Sequence, residues 1–341
     1  MESQILYALA ESRKSVWELL EASHHPLKDF VEAVNRLYER GYIGSDGETL
    51  FLTEEGRRQI NPRCVEFKSW VCGRCRGKRV LMDGRFREVL EEFREIVKGR
   101  PAPTIDFFQG YMHERDVVER VALMHYYGDV AGKDFILVGD DDLLSVALAL
   151  TRLPSRILVL DIDRRLGDFI GKVNRDHGFE IEFREYDVSD PLPEDLVESF
   201  DVFSSEPLET LSGLRAFVSR GVSCLREGGV GYFGLTTIEA SRRKWRSIQR
   251  ALIAMNCVIT DIIRGFSTYP MNYGTINYEL FVQKFKFPVK PNPGIDWYKS
   301  ALIRFEVVGK PKPVIDWRKK IRIQYVDLEE DLTYPGLYEK P

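Results

Sequence analysis

From Lys133 onward the chain alternates five times between short apolar runs and helical patterns, and no other feature limits its possible folds so strongly. The runs DFILVG (134–139), RILVLDID (156–163), EIEFREYD (180–187), FDVFSS (200–205) and GGVGYFGLT (228–236) are each followed by a helical pattern. Repeated strand–helix units of this kind predict an α/β fold with a doubly wound, Rossmann-like parallel sheet covered by helices on both faces. Ligands of such sheets sit beyond the C-terminal ends of the strands, so residues at those ends are the first candidates for function.

Two further runs, CVITDIIRGF (257–266) and YELFVQKF (278–285), follow one another with no helix between them. By fold analogy they look like the antiparallel pair that closes a methyltransferase-type sheet. A chain of 341 residues exceeds the usual single domain. The first eighty or so residues read as a separate unit, with helix-like spacing over 4–10, 15–22 and 27–41, then Gly41, a hairpin turn at Asp46-Gly47 and the strand TLFLT. This is a small winged-helix pattern. Its third helix offers Lys28 and Arg36 against Asp29, Glu32 and Glu39, a poor balance for reading a nucleic-acid groove, so docking is favoured over DNA binding. The predicted domains are a winged-helix unit with a Cys-x-x-Cys segment (1–82), a Rossmann-like catalytic unit (83–286) and a C-terminal extension (287–341) whose acidic end, VDLEEDLTYPG, reads as flexible.

Composition excludes several classes. A net charge of −4 gives no general pull toward nucleic acid or anionic lipid, and no apolar run is long enough to span a membrane. The start lacks the layout of a secretory signal, so a cytoplasmic protein is expected. A charged fraction of 30% suits a thermophile. Five cysteines do not form a secreted disulfide framework. Zinc at Cys72 and Cys75, with Cys64 and either His24 or His25, is the lesser reading beside a plain structural knuckle, because a second Cys-x-x-Cys is missing.

Acids recur where the crevice should open. The first strand ends at Gly139-Asp140-Asp141-Asp142, the second at Asp161 and Asp163, the third at Asp187, and the fourth leads into Glu206 and Glu209. One aspartate serves as a helix cap. Three in succession repel one another by about 4 kcal/mol per ionised pair at about 4 Å and an effective dielectric of about 20. A bound cation would relieve that repulsion. A carboxylate ending the second strand suits the two hydroxyls of a ribose, and one after the third suits an adenine amino group, which makes Asp161 and Asp187 candidate nucleoside contacts. The glycine-rich loop that would cradle a pyrophosphate or carboxylate is absent, so NAD, FAD and ATP fit badly. S-adenosylmethionine fits less well than its decarboxylated form, which carries only a sulfonium and an ammonium.

These residues resemble a known family. The GDDD turn, LVLDIDRRL, FDVFSSEPLET, and the order winged helix, Cys-x-x-Cys segment, Rossmann-like domain are similar to the branched-chain polyamine synthases, or N(4)-bis(aminopropyl)spermidine synthases. VLDID also looks like the ribose-binding segment of linear spermidine synthases, with Asp161 in place of a glutamate. The resemblance implies transfer of aminopropyl groups from decarboxylated S-adenosylmethionine to spermidine, giving branched polyamines and methylthioadenosine, without metal or covalent intermediate. Partners would be the polyamine acceptor and the nucleoside donor, with no nucleic acid or membrane, in a homodimer. By motif, Asp142, Asp141 and Glu206 would be catalytic, with Asp142 holding the attacking amine and taking its proton. Gly139, Asp140, Asp161, Asp163, Asp187 and Gln109 would hold the donor. Glu209, Tyr269, Tyr273 and Tyr278 would hold the acceptor, although core packing explains the tyrosines equally well. The chain departs from the family where an Asp-Pro-Pro turn is expected and Glu206-Pro207-Leu208-Glu209 stands, and where Phe108 replaces an aspartate before Gln109. Two rival readings are an S-adenosylmethionine-dependent N-methyltransferase acting on nucleic acid or protein, and a non-catalytic winged-helix regulator sensing a nucleoside or polyamine.

Overall fold

The computed structural model describes residues 1–66 and 71–338. Its N-terminal unit consists of α1 (Glu2–Glu11), α2 (Val16–Ala22), α3 (Leu27–Glu39), the hairpin β1 (Ile43–Ser45) and β2 (Leu50–Leu52), and the short α4 (Glu54–Arg57). Ser15 and Glu18 form a reciprocal capping box that starts α2. Asp46 fixes the hairpin by accepting from the Thr49 backbone at 2.7 Å. Phe30, Val34 and Leu37 bury one side of α3. Another side meets the rest of the chain: Lys28 donates to the Glu329 carbonyl at 2.8 Å, Asn35 to the Lys284 carbonyl at 3.0 Å, and the Tyr38 ring packs on Phe287. One side of α3 thus rests on the protein's own C-terminal segments, while Lys28, Asp29, Glu32 and Glu39 stay exposed.

Beyond it lie α5 (Arg85–Val97), α6 (Glu114–Tyr126), β3 (Asp134–Val138), α7 (Leu144–Thr151), β4 (Arg156–Asp161), α8 (Arg164–His177), β5 (Ile181–Glu185) and β6 (Phe200–Ser205). Then come α9 (Leu211–Cys224), β7 (Leu225–Thr236), α10 (Arg242–Ala254), β8 (Cys257–Tyr269) and β9 (Tyr298–Val307). The seven-stranded sheet runs β5-β4-β3-β6-β7-β9-β8, parallel from β5 to β7, with β9 antiparallel to both neighbours. Because side chains alternate along a strand, β3 feeds two cores. Phe135 and Leu137 join the core that continues into the winged unit, and Ile136 and Val138 join the one beneath α9 and α10. Among the described residues no helix is long and apolar enough to cross a membrane.

Two expectations need correction. Residues 280–284 form a 3-10 turn instead of a strand, because Phe281 is drawn under Trp17 and Trp297. The closing strand is β9, which slots between β7 and β8. The sheet is thus incomplete at residue 286, and the Rossmann-like unit extends beyond the boundary expected there. Nor is the acidic tail loose. Arg220, fully buried, donates to the carbonyls of Trp317 and Lys319 at 2.9 and 2.7 Å. Buried Lys244 pairs with Asp327 at 3.0 Å and Glu330 at 3.2 Å, folding the tail over the strand ends.

Candidate active site

The turn after β3 is shaped by two residues with left-handed backbone, Gly139 (φ +77°) and Leu143 (φ +58°), which reverse the chain sharply enough for α7 to begin at Leu144. The three aspartates diverge. Asp140 turns toward the helix, accepting from the Ser145 N–H at 3.3 Å, while its own N–H donates to Asp161 at 2.9 Å. Asp142 accepts from the Met112 N–H at 2.6 Å. Asp141 accepts from the Gly110 N–H at 3.2 Å and faces open space.

That space is two cavities sharing a wall made by Phe108, Gln109, Asp141, Glu206, Pro207, Leu208 and, from the tail, Tyr325. The first, about 260 Å³, lies beyond β3, β4 and β5 and is lined by Gly139, Asp161, Ile162, Asp187, Val188 and Phe217. Its polar groups stand at strand ends and its walls are apolar. The second, about 170 Å³, carries Asp141, Glu206, Glu209, Glu239, Asp327 and Asp331, with Lys244, already paired to Asp327, and tyrosines between them.

Burial governs the charges. It pushes Asp141 up to about 6, helped by the neighbouring charge of Asp161, and drives Asp142 well above the ordinary carboxylate range, helped by Asp141 and Glu206. Burial likewise lifts Glu209 to about 7 against the hydrogen bonds from Thr236, and Glu239 well above its usual value, with Asp331 adding to it. One Glu239 oxygen accepts from Tyr298 at 2.8 Å, and the other is buried with no hydrogen-bond partner. Such groups keep their protons to higher pH than exposed carboxyls, and a bound cation favours their release.

Glu206 differs in having a permanent counter-charge: the fully buried Arg120 of α6 binds one oxygen and Tyr269 donates to the other. Tyr273 donates to the Tyr111 carbonyl at 3.0 Å and Tyr278 to the Gln109 carbonyl at 2.8 Å, which turns both rings into walls of the second cavity.

Of the expected site residues, Asp141, Glu206, Gln109, Gly139, Asp161, Asp187, Glu209, Tyr269, Tyr273 and Tyr278 line these cavities. Three do not. Asp140 caps α7, as above. Asp163 caps α8 through the Arg165 N–H at 3.0 Å; burial would raise it, but bonds from Arg165 and Gln109 hold it below its usual value. Asp142 lies behind the wall, buried, close enough for its charge to act on Arg120, Tyr269 and Tyr273. Sequence reasoning missed Arg120, Glu239, Asp327 and Asp331. The only signal for the last two was the acidity of the tail.

Cys72 and Cys75 are free thiols, while residues 67–70 and the Cys64 side chain, needed for the zinc reading, lie outside the described part. Among the described residues no three His, Cys, Asp or Glu side chains converge as a metal site.

A family model described as "Branched-chain polyamine synthase A C-terminal domain" matches residues 88–331, more than half of the chain. The chain belongs to the branched-chain polyamine synthase family. It is 42% identical over 293 residues to the N(4)-bis(aminopropyl)spermidine synthase of Thermococcus kodakarensis, covering 85% of this chain and 82% of that one. The enzyme of the same name from Thermus thermophilus is 36% identical over 296 residues, with 85% and 82% covered. The crystal structure of the Thermus thermophilus branched-chain polyamine synthase in complex with N4-aminopropylspermidine and 5'-methylthioadenosine superposes with a TM-score of 0.83 at 32% identity, covering 98% of this chain and 93% of that one. As a branched-chain polyamine synthase the chain is an enzyme, a transferase, and the regulator and N-methyltransferase readings give way to that class.

Proposed function

We propose that this chain moves aminopropyl groups from decarboxylated S-adenosylmethionine to an amine of spermidine, releasing methylthioadenosine. The observation that carries the reading is the shared wall: Asp141 and Glu206 face an apolar nucleoside-sized cavity on one side and an acidic, tyrosine-lined one on the other. Asp161 would accept the ribose hydroxyls and Asp187 the adenine amino group, with Ile162, Val188 and Phe217 flanking the base. The sulfonium and its propyl arm then point at the wall.

In the second cavity the carboxylates take the ammonium groups of the polyamine and the tyrosines cover its methylenes. The reacting nitrogen must present a lone pair about 3 Å from the carbon next to sulfur. An adjacent carboxylate favours the ammonium, so the bound ammonium first hands its proton to a carboxylate and the freed lone pair then attacks. As the N–C bond forms and the C–S bond breaks, the electron pair returns to sulfur, leaving a neutral thioether. The proton passes to the Asp141–Asp142 pair, whose titration belongs to both groups together, with Asp141 facing the amine and Asp142 directly behind. Glu206, fixed by Arg120 and Tyr269, orients the nitrogen from the other side.

Mass spectrometry of the products of spermidine and decarboxylated S-adenosylmethionine tests the reading. One or two added aminopropyl groups, matched by equal methylthioadenosine, are expected; unchanged spermidine would refute it.

A further inference from the structure

A further charged pocket, of opposite sign, lies between the α2–α3 turn and the outer face of α10. It is an open surface groove of about 250 Å³ lined by the exposed Arg242 and Arg246 and by Trp245 of α10, the exposed Arg264 of the edge strand β8, and His24 of the turn, with no carboxylate in its wall. Arg243 and Lys244, interleaved with these arginines, pair with Glu330 and Asp327, but Arg242, Arg246 and Arg264 form no ion pair among the described residues. Arg264 instead donates to the His24 carbonyl at 3.3 Å.

Two further observations mark the potential as positive. Arg242 and Arg246 occupy the first turns of α10, where the helix dipole disfavours cations. Partial burial, then the charge of Arg242, holds Arg264 below its ordinary value, and partial burial, then Arg264 and Lys299, does the same to His24. Ordinary protein surfaces intersperse the two signs. Three guanidiniums converging on one concave space without a counter-charge repel one another, and an oxyanion bridged by their planar forks removes that repulsion.

We propose that this groove binds a phosphate group, held by the guanidiniums of Arg242, Arg246 and Arg264. The group is either free phosphate or the phosphate of a small ester, and the volume leaves room for a sugar beside it. The site joins the winged unit to the catalytic unit and is separate from the acidic cavities, so it stands or falls independently of the assigned reaction.

Calorimetric titration of the full chain with inorganic phosphate and with ribose 5-phosphate, at constant ionic strength in chloride, tests it. Saturable binding of one equivalent is expected, weakened at least tenfold in Arg264→Gln and, separately, in Arg246→Gln, with methylthioadenosine affinity unchanged in both. Tighter binding of ribose 5-phosphate identifies an ester as the ligand; equal affinity identifies free phosphate. No saturable binding of either probe, or binding unaltered in both variants, would overturn the proposal.

Discussion

Gly234 of β7 lies against the carboxylate of Glu206 so closely that a methyl group on its Cα would overlap both carboxylate oxygens. The missing side chain is therefore what lets Glu206 reach across from the end of β6 to Arg120 and Tyr269. In Gly234→Ala the Glu206 carboxylate must move out of the shared wall. A displacement of about 1 Å in a positioning group costs on the order of 10²-fold in turnover. We predict a kcat/KM loss of that size in steady-state assays, with methylthioadenosine affinity within about twofold of wild type. Unchanged turnover would remove Glu206 from the positioning role.

Asp141 and Asp142 separate the two halves of the proton-transfer account. Both Asp141→Asn and Asp142→Asn keep size and hydrogen bonding but lose the acceptor of the amine proton, and each is expected to lower kcat by about 10²–10⁴-fold. Methylthioadenosine affinity should stay near wild type in both. Full activity in Asp142→Asn, whose parent side chain lies behind the wall, would leave Asp141 as sole acceptor.

The raised carboxyls also set a pH dependence of stability. Asp141 at about 6 and Glu209 at about 7 titrate above their unfolded values, so their contribution is fully present below about pH 4 and is lost as pH rises through 6 to 7. His24 and His25, held below their ordinary values chiefly by burial, act oppositely over part of that range. The informative quantity is thus the difference between wild type and Glu209→Gln. Denaturant unfolding without ligand should show the variant gaining on wild type by up to roughly 1.4 kcal/mol per pH unit between about pH 5 and 7. A constant difference would mean that Glu209 is ionised in the empty cavity.

The tail gives the fourth prediction. Asp331 lines only the acidic cavity, so Asp331→Asn should raise the KM for spermidine by about tenfold and leave methylthioadenosine affinity unaltered. A change in nucleoside affinity alone would contradict the division into two cavities.

What could be read from the sequence follows from how local each signal is. Strands β3, β4, β6 and β7 showed themselves because a buried parallel strand is a largely apolar run, the edge strand β5 because its apolar residues alternate with charged ones, and the GDDD turn because its run of charge exceeds what one helix cap needs. ALIRFEVVG in the tail reads as a strand, but the place of β9 in the sheet was hidden: a proline-rich stretch precedes it, and the alternation in 278–285, created by packing against the winged unit, imitated the strand it displaced. Asp140 and Asp163 look like Asp141 in sequence, and only the backbone direction at Gly139 and at the start of α8 makes them caps. Arg120 sits within a helix of mixed charge, with nothing local to tell it from the exposed Arg115. The tail read as solvated because its partner, Lys244, lies far away in sequence.

The central claim is that the second cavity carries protons when empty and becomes fully anionic around a polycation. Calorimetric titration of spermidine into the methylthioadenosine-bound enzyme near pH 7, repeated in buffers of different ionisation enthalpy, counts protons directly. We predict net release of one or more protons per spermidine bound, reduced in Glu209→Gln; binding without release, or with uptake, would contradict the account.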